Sequence, residues 1–265
     1  MGDSKTGQIS ANAAQVYEEI FLPSLFVEWP PRVIEAAGIQ SGHRVLDVAC
    51  GTGVLAGAVA ERVGSEGSTV GVDNNEGMLA IAREKTPEIE WYLAPAESLP
   101  LDDDSFDSVV SQFGLMYFED RRGALVEMMR VLRPGGTLAV VVWDKHENIP
   151  AWVVEDQIFE RVFGAEDEDD APNSLGDKQN LRRLFDSAGI LDAEIRTHEG
   201  TARFPSIEAW IYADVKGWTM DDEIDDEGHE RLLTEAQVEL AQFLLDDGTV
   251  AFSTPAHIVT ANKPA

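Results

Sequence analysis

Residues 45–53 read Val-Leu-Asp-Val-Ala-Cys-Gly-Thr-Gly, and residues 69–73 read Thr-Val-Gly-Val-Asp. In each, a short apolar run ends in an acid, and the first continues into a glycine-rich turn. Runs this short and this branched suit strands buried on both faces of a sheet. Gly51 and Gly53 let a turn backbone approach a ligand with no Cβ in the way. Asp73 then falls at the tip of the neighbouring strand, where a carboxylate can accept both hydroxyls of a ribose. The pair of runs points to a parallel sheet that holds a nucleoside-containing cofactor.

The rest of the chain repeats the alternation. Strands are expected at 43–49, 69–73, 89–93, 106–112, 136–143 and 192–198, helices at 53–63, 76–85, 121–132 and 177–188, and a last strand from Val250 to Ala261. Such alternation implies an α/β fold, a doubly wound parallel sheet covered by helices on both faces. Ser10 can cap a helical segment over residues 10–38, broken by Pro30-Pro31, and Asp177 can cap the helix that ends at Gly189. Residues 146–176 and 201–248 fall outside the alternation. In the second, Leu232, Leu233, Ala236, Leu240, Phe243 and Leu244 recur at helical spacing on one face. We expect one domain over 1–265: an N-terminal helical lid (1–40), a cofactor-binding core (41–145), two insertions (146–176 and 201–248), and the end of the sheet (177–200 and 249–262).

The turn narrows the cofactor. A dinucleotide site places a pyrophosphate on the helix N-terminus. Asp47, just before the turn, would repel a pyrophosphate but suits a ligand that carries an ammonium and a sulfonium. With it stand Ala94-Pro-Ala-Glu-Ser-Leu-Pro-Leu-Asp-Asp-Asp-Ser-Phe-Asp107, Ser111-Gln-Phe-Gly-Leu-Met-Tyr-Phe118 and Arg130-Val-Leu-Arg-Pro-Gly-Gly-Thr-Leu138. In this order, over residues 41–143, the segments resemble the class I S-adenosyl-L-methionine-dependent methyltransferases. They are most similar to the small-molecule branch that includes the ubiquinone and menaquinone biosynthesis enzymes. The resemblance implies a Rossmann-like seven-stranded sheet whose last strand is antiparallel and inserted between strands five and six.

It also implies a site. Asp47 with the Gly51–Gly53 turn would hold the methionyl part of the cofactor, Asp73 the ribose, and Met78 would pack on the adenine. Ala96, through its backbone, and Glu97 fall at the adenine edge, and Ser111 at the tip of strand four. Tyr17, with Phe21 and Trp29, would face the sulfonium if the N-terminal segment folds over as a lid. Two positions depart from the family pattern: Pro95 stands where an aspartate is common, and Asn74 where an apolar residue usually covers the base. No residue is a firm catalytic acid or base. Tyr117, Trp143 and His146, near strand tips, are the candidates for the acceptor side.

Charge excludes other classes. Forty-nine acids oppose twenty bases, for a net charge of −29, and Glu166–Asp170 and residues 221–227 are runs of acids. This surface repels phosphate backbones and offers no basic stripe, so nucleic acid is not expected as substrate. The pervasive acid excess points to a protein adapted to high salt. The single cysteine, Cys50, excludes an internal disulfide and reads as a packing residue, and the five histidines show no metal-ligand spacing. The longest apolar runs are strand-length, and residues 1–10 lack the basic start and apolar stretch of a secretory signal, so no membrane insertion and a cytoplasmic location are expected. The functional expectation is methyl transfer to a small organic acceptor; the alternative is a cofactor-binding sensor or partner without catalysis. The sequence leaves the oligomeric state undetermined.

Overall fold

A computed structural model describes residues 11–164, 172–217, 224 and 226–265. Its centre is a seven-stranded sheet. The strands are β1 (Arg44–Val48), β2 (Ser68–Asp73), β3 (Glu90–Leu93), β4 (Phe106–Gln112), β5 (Leu132–Trp143), β6 (Glu194–His198) and β9 (Ala256–Asn262). They lie in the order β3-β2-β1-β4-β5-β9-β6. β1 pairs in parallel with both β2 and β4, and chain order reverses there, so a crevice opens beyond the tips of these strands. β9 is antiparallel to both β5 and β6. The expected sheet, with its inserted antiparallel last strand, is thus present.

Helices cover both faces: α3 (Val54–Val63), α4 (Glu76–Lys85), α5 (Arg121–Val131) and α7 (Lys178–Ser187) connect the strands. Short polar side chains start three of them. Asn75 Oδ1 accepts the Met78 N–H at 3.1 Å, Asp120 Oδ1 the Gly123 N–H at 2.8 Å, and Asp177 Oδ1 those of Gln179 and Asn180 at 2.9 and 3.0 Å. Val45, Leu46, Val48, Val109, Val110 and Val140 are fully buried, as expected of central strands.

Three elements differ from the sequence expectation. The N-terminal segment is α1 (Ala11–Val16), a π-helical stretch Tyr17–Phe26, and α2 (Pro30–Ala36). Val27 donates to Leu22 O at 3.2 Å, an i→i−5 bond, while Pro23 inside the stretch has no N–H to give. The stretch Val250–Ala261 is two strands, not one. β8 (Val250–Ser253) leaves the main sheet to pair with β7 (Thr201–Phe204) in a separate antiparallel ribbon, and Thr254-Pro255 joins it to β9. Finally, β5 starts at Leu132 instead of 136, with a register shift between Phe106 and Ser108 where it joins β4. The insertions carry α6 (Pro150–Phe163), α8 (Ile207–Gly217) and α9 (Asp226–Glu239). Leu232, Ala236 and Leu240 of the apolar stripe are buried, whereas Leu244 is exposed. Ser10 and the acidic run Glu166–Asp170 lie outside the described residues.

The N-terminal segment, α6, α8, α9 and the ribbon form a cap joined to the sheet by aromatic rings. Trp29, fully buried, meets Phe113 and Trp143 edge-on at 5.4 and 5.9 Å between ring centroids. Phe113 stacks on Trp143 at 3.7 Å, and Trp152 of α6 meets Trp143 edge-on at 5.4 Å. Further out, Phe21 contacts Phe204 of the ribbon, which stacks on Trp210 of α8. Such pairs add about 0.5–1.5 kcal/mol each beyond their burial. The N-terminal segment from Phe21 on is therefore part of the same hydrophobic core as the sheet.

Candidate functional site

The turn after β1 is built from left-handed residues: Ala49, Gly51 and Gly53 have φ of 58°, 54° and 87°. The two glycines serve different needs. A Cβ on Gly51 would meet nothing within 4 Å, so its outer side is open to a ligand. A Cβ on Gly53 would lie 2.7 Å from Trp91 Cη2, and one on Gly71 2.3 Å from the same ring, so Trp91 sets these two glycines from behind. Trp91 is itself fixed by its indole N–H, which donates to Thr86 O at 3.1 Å.

Two acids converge on this turn. Asp73 Oδ2 accepts the Gly51 N–H and Oδ1 the Asn75 N–H, each at 2.8 Å. The Asp73 carboxylate thus ties β2's tip to the turn, and a carboxylate has about four acceptor positions, so it can still accept from a ligand hydroxyl. Burial raises its pKa, and the Gly51, Asn75 and Asn74 amides oppose that shift. Asp47 is 1% exposed, and neither carboxylate oxygen has a hydrogen-bond partner among the described residues. Burial pushes its carboxyl well above the usual range; the Ala56 N–H, which faces it without closing a hydrogen bond, offsets part of this and the nearby Asp73 charge adds to it. An unpartnered buried carboxyl is costly in an isolated protein and suits a site that receives a cation.

The cap delivers Tyr17 to this place. Burial raises its phenol pKa, and the carboxylates of Glu18, Asp73 and Asp47 add to the shift. Tyr117, just beyond β4, is raised by burial and by Tyr17 beside it. Met78 packs with Ala13, Ala14, Tyr17 and Ile81, so α1 rests on the start of α4. Ser111 is buried at the β4 tip, its Oγ without a hydrogen-bond partner among the described residues, close under Gly114. Tyr17, Asp47, Gly51, Gly53, Asp73, Met78, Ser111 and Tyr117 therefore lie around the strand-tip crevice.

Other expected residues point elsewhere. Ala96 is buried, but Glu97 Oε1 accepts the Asp120 N–H at 3.2 Å, which turns it toward the start of α5. Trp143 is enclosed by Phe26, Trp29, Phe113 and Trp152. His146 pairs through Nε2 with Asp156 Oδ2 at 2.6 Å on α6. Cys50 is buried, and burial together with Asp73 and Asp47 pushes its thiol up, which removes it as a nucleophile.

Three polar clusters have no counterpart in the sequence expectation. Arg130 forks onto Glu127 at 2.8 and 2.9 Å and reaches Leu99 O and Leu101 O at 3.0 and 2.8 Å, while Glu127 accepts the Leu99 N–H at 3.0 Å. This fork clamps the loop after β3 onto α5, and so positions the segment that holds Ala96. The hydrogen bonds to Arg130 hold the Glu127 carboxyl below its usual range. His257 on β9 is fully buried, with Nε2 at 2.9 Å from Gly176 O and 3.1 Å from Asp144 Oδ1, and Nδ1 at 3.1 Å from Thr197 Oγ1. Burial lowers its pKa, so the ring is a neutral staple between the sheet and the loop before α7. The third cluster, Glu155 with Asp214, lies in the cap. The spacing of Glu127 and Arg130, i and i+3 on one helix, is a signal that could have found the first; the other two join residues far apart in sequence.

Comparison with known proteins agrees with this geometry. Residues 12–163 match the ubiE/COQ5 methyltransferase family. A demethylmenaquinone methyltransferase of Staphylococcus aureus is 32% identical over 188 residues, 65% of this chain and 78% of the relative. Among solved structures, a putative methyltransferase from Bacillus halodurans aligns with a TM-score of 0.61 at 22% identity, over 89% of this chain and 99% of that one. Phosphoethanolamine N-methyltransferase 2 of Haemonchus contortus aligns with a TM-score of 0.61 at 17% identity, over 97% of this chain and 58% of that one. The solved structures share the fold. With its family match extending over more than half of its length, from α1 through the glycine turn to α6, the chain belongs to the ubiE/COQ5 methyltransferase family.

Proposed function

We propose that this protein transfers the methyl group of S-adenosyl-L-methionine to a small organic acceptor by in-line displacement. Methyl transfer from this cofactor follows from the family; the acceptor class, the displacement geometry and the residue roles are our reading. The observation that carries it is Asp47, a buried carboxyl with two unpartnered oxygens beside the open side of Gly51 and the tip of β2. When bound, the cofactor supplies a methyl group on a sulfonium whose sulfur leaves with the bonding electrons.

The residues present fit that cofactor. Asp47 would take the methionyl ammonium, Asp73 the ribose hydroxyls, and Met78 one face of the base. Tyr17 and Tyr117 would close the crevice and exclude water. Both phenols are held protonated, so they act as walls and hydrogen-bond donors and not as bases. Alignment of two reactants in such a site is worth about 7–11 kcal/mol in favourable cases. The Staphylococcus aureus relative is named for a small-molecule acceptor, which supports the same class here. The net charge of −29 argues against nucleic acid and supports a high-salt habitat. No helix among the described residues is long and apolar enough to cross a membrane.

Calorimetry and turnover test the reading. S-adenosyl-L-methionine and S-adenosylhomocysteine should bind and NAD should not. S-adenosylhomocysteine should accumulate with at least one member of a panel of demethylated quinols, phenols and amines. Failure to bind S-adenosyl-L-methionine would sink the assignment. Binding without turnover on any acceptor would favour the sensor or partner reading.

A further inference from the structure

The cap contains a pair of acids that the proposed reaction does not use. Glu155 sits on α6 and is 6% exposed, and Asp214 sits on α8. The two carboxyls hydrogen-bond to each other, and the fully buried Trp210 hydrogen-bonds to both. Glu155 Oε1 and Asp214 Oδ2 have no further partner among the described residues. Both helices pack on α9, and this side-chain pair links them directly.

Among the described residues, the other charge that acts on both carboxyls is Asp156 of α6, also an acid and itself engaged with His146. On α9, Glu235 and Glu239 hold Arg161 of α6, Arg231 donates to Val162 O at 2.7 Å, and His229 is half-buried. Lys216 follows on α8, and β8 carries no charged residue. From the N-terminal segment, which also packs on α8, Glu18 engages Lys85 and Glu19 accepts from Gln15. In a hydrogen-bonded pair of carboxyls, Glu155 buried and Asp214 half-buried, double ionisation is strongly disfavoured, so one proton stays between them. Burial pushes Asp214 up to about 6, and burial with the adjacent Asp214 holds Glu155 well above the usual range.

We propose that Glu155 and Asp214 share one proton as a latch between α6 and α8, which holds the cap closed while the proton is present and releases it as pH rises. The sign follows from linkage. The closed cap retains a proton that separated carboxyls would lose near pH 4, so its advantage falls as pH climbs until Glu155 ionises in place. Each proton released on opening makes the opening equilibrium about tenfold more favourable per pH unit in that window. The latch does not depend on the identity of the acceptor.

Hydrogen exchange on the full chain, corrected for intrinsic rates, tests this from about pH 5.5 to 8.5. Wild-type peptides from 150–163 and 207–217 should lose protection by up to about tenfold per pH unit. Glu155→Gln keeps a donor for Asp214 but has no proton of its own to lose, so above about pH 6, where Asp214 has ionised, its cap peptides should show no such slope. A wild-type cap flat with pH, or the same slope in Glu155→Gln, overturns the latch. If Glu155→Gln does not fold, Asp214→Asn serves. It removes the like charge beside Glu155, and loss of protection should then level off at lower pH; an unchanged profile refutes the proposal.

Discussion

The crevice and the cap solve opposite problems with the same chain. Around β1 and β2 the protein holds features that cost stability: left-handed backbone at the non-glycine Ala49, and a buried Asp47 whose two oxygens have no hydrogen-bond partner among the described residues. The cap side is filled by rings, with Trp29, Phe113, Trp143 and Trp152 in mutual contact and Trp210 wedged against Phe204 and Phe252. One region is arranged for a ligand at the expense of the empty fold; the other holds the fold together. The difference teaches that the cap is structural as much as it is a cover, so removing the N-terminal segment should unfold the protein and not merely uncover its site.

Substitutions on the two sides should therefore separate stability from binding. Trp29→Ala should destabilise the protein by about 3–5 kcal/mol, the usual cost of deleting a large buried ring, as read by urea unfolding. A loss under about 1 kcal/mol would make the cap peripheral and dissolve the contrast. Asp47→Asn should weaken S-adenosyl-L-methionine binding by about 2–5 kcal/mol, the range for truncating a buried charge partner, while the free protein melts no earlier. Calorimetry and a thermal scan decide it; a large drop in melting temperature with unchanged affinity would reverse the assignment of the two regions.

The same carboxyl predicts a pH dependence. Because the Asp47 pKa is raised in the free fold, its ionisation works against the folded state as pH climbs above the ordinary carboxylate range. A bound cation needs the ionised form, so affinity should rise with pH by up to about tenfold per unit until Asp47 ionises unaided. The Asp47→Asn protein should show a flat profile. Asp73→Ala should cost about 1.5–3 kcal/mol of cofactor affinity, since it removes a charged acceptor; equal affinity for mutant and parent would take Asp73 out of the site.

Salt should act on both regions together and with the smallest effect per contact. Screening shortens the reach of repulsion from about 10 Å at 0.1 M to about 3 Å at 1 M salt, and exposed ion pairs contribute only about 0–1 kcal/mol. The melting temperature should rise steadily toward molar potassium chloride. A flat or falling profile would mean that the acids only solubilise the protein.

How much of this was legible follows the same division. The places of Asp47, Gly51, Gly53 and Asp73 at the strand tips and the turn were readable because strand, turn and helix are local, and each residue type has a backbone or charge reason to be there. The order of the sheet was readable from alternation together with the family resemblance. The cap was not. Its contacts run between rings far apart in sequence, so no spacing announces that Phe21 meets Phe204 or that Glu155 meets Asp214. Apolar alternation also failed at Thr254-Pro255, where one apparent strand divides between two sheets. Glu97 shows the limit at a single residue: its place in the loop was foreseen, but its side chain is claimed by the Asp120 amide.

The π-helical stretch Tyr17–Phe26 has a consequence for how this architecture can change. A π-turn carries one residue more than an α-turn over the same arc, so removing one residue between Glu18 and Leu22 could restore ordinary winding with the two flanks still in register. With Phe26 and Trp29 anchored in the core, α1 and Tyr17 would keep their side of the molecule. The stretch is thus a place where relatives of this fold could gain or lose a residue without altering any strand.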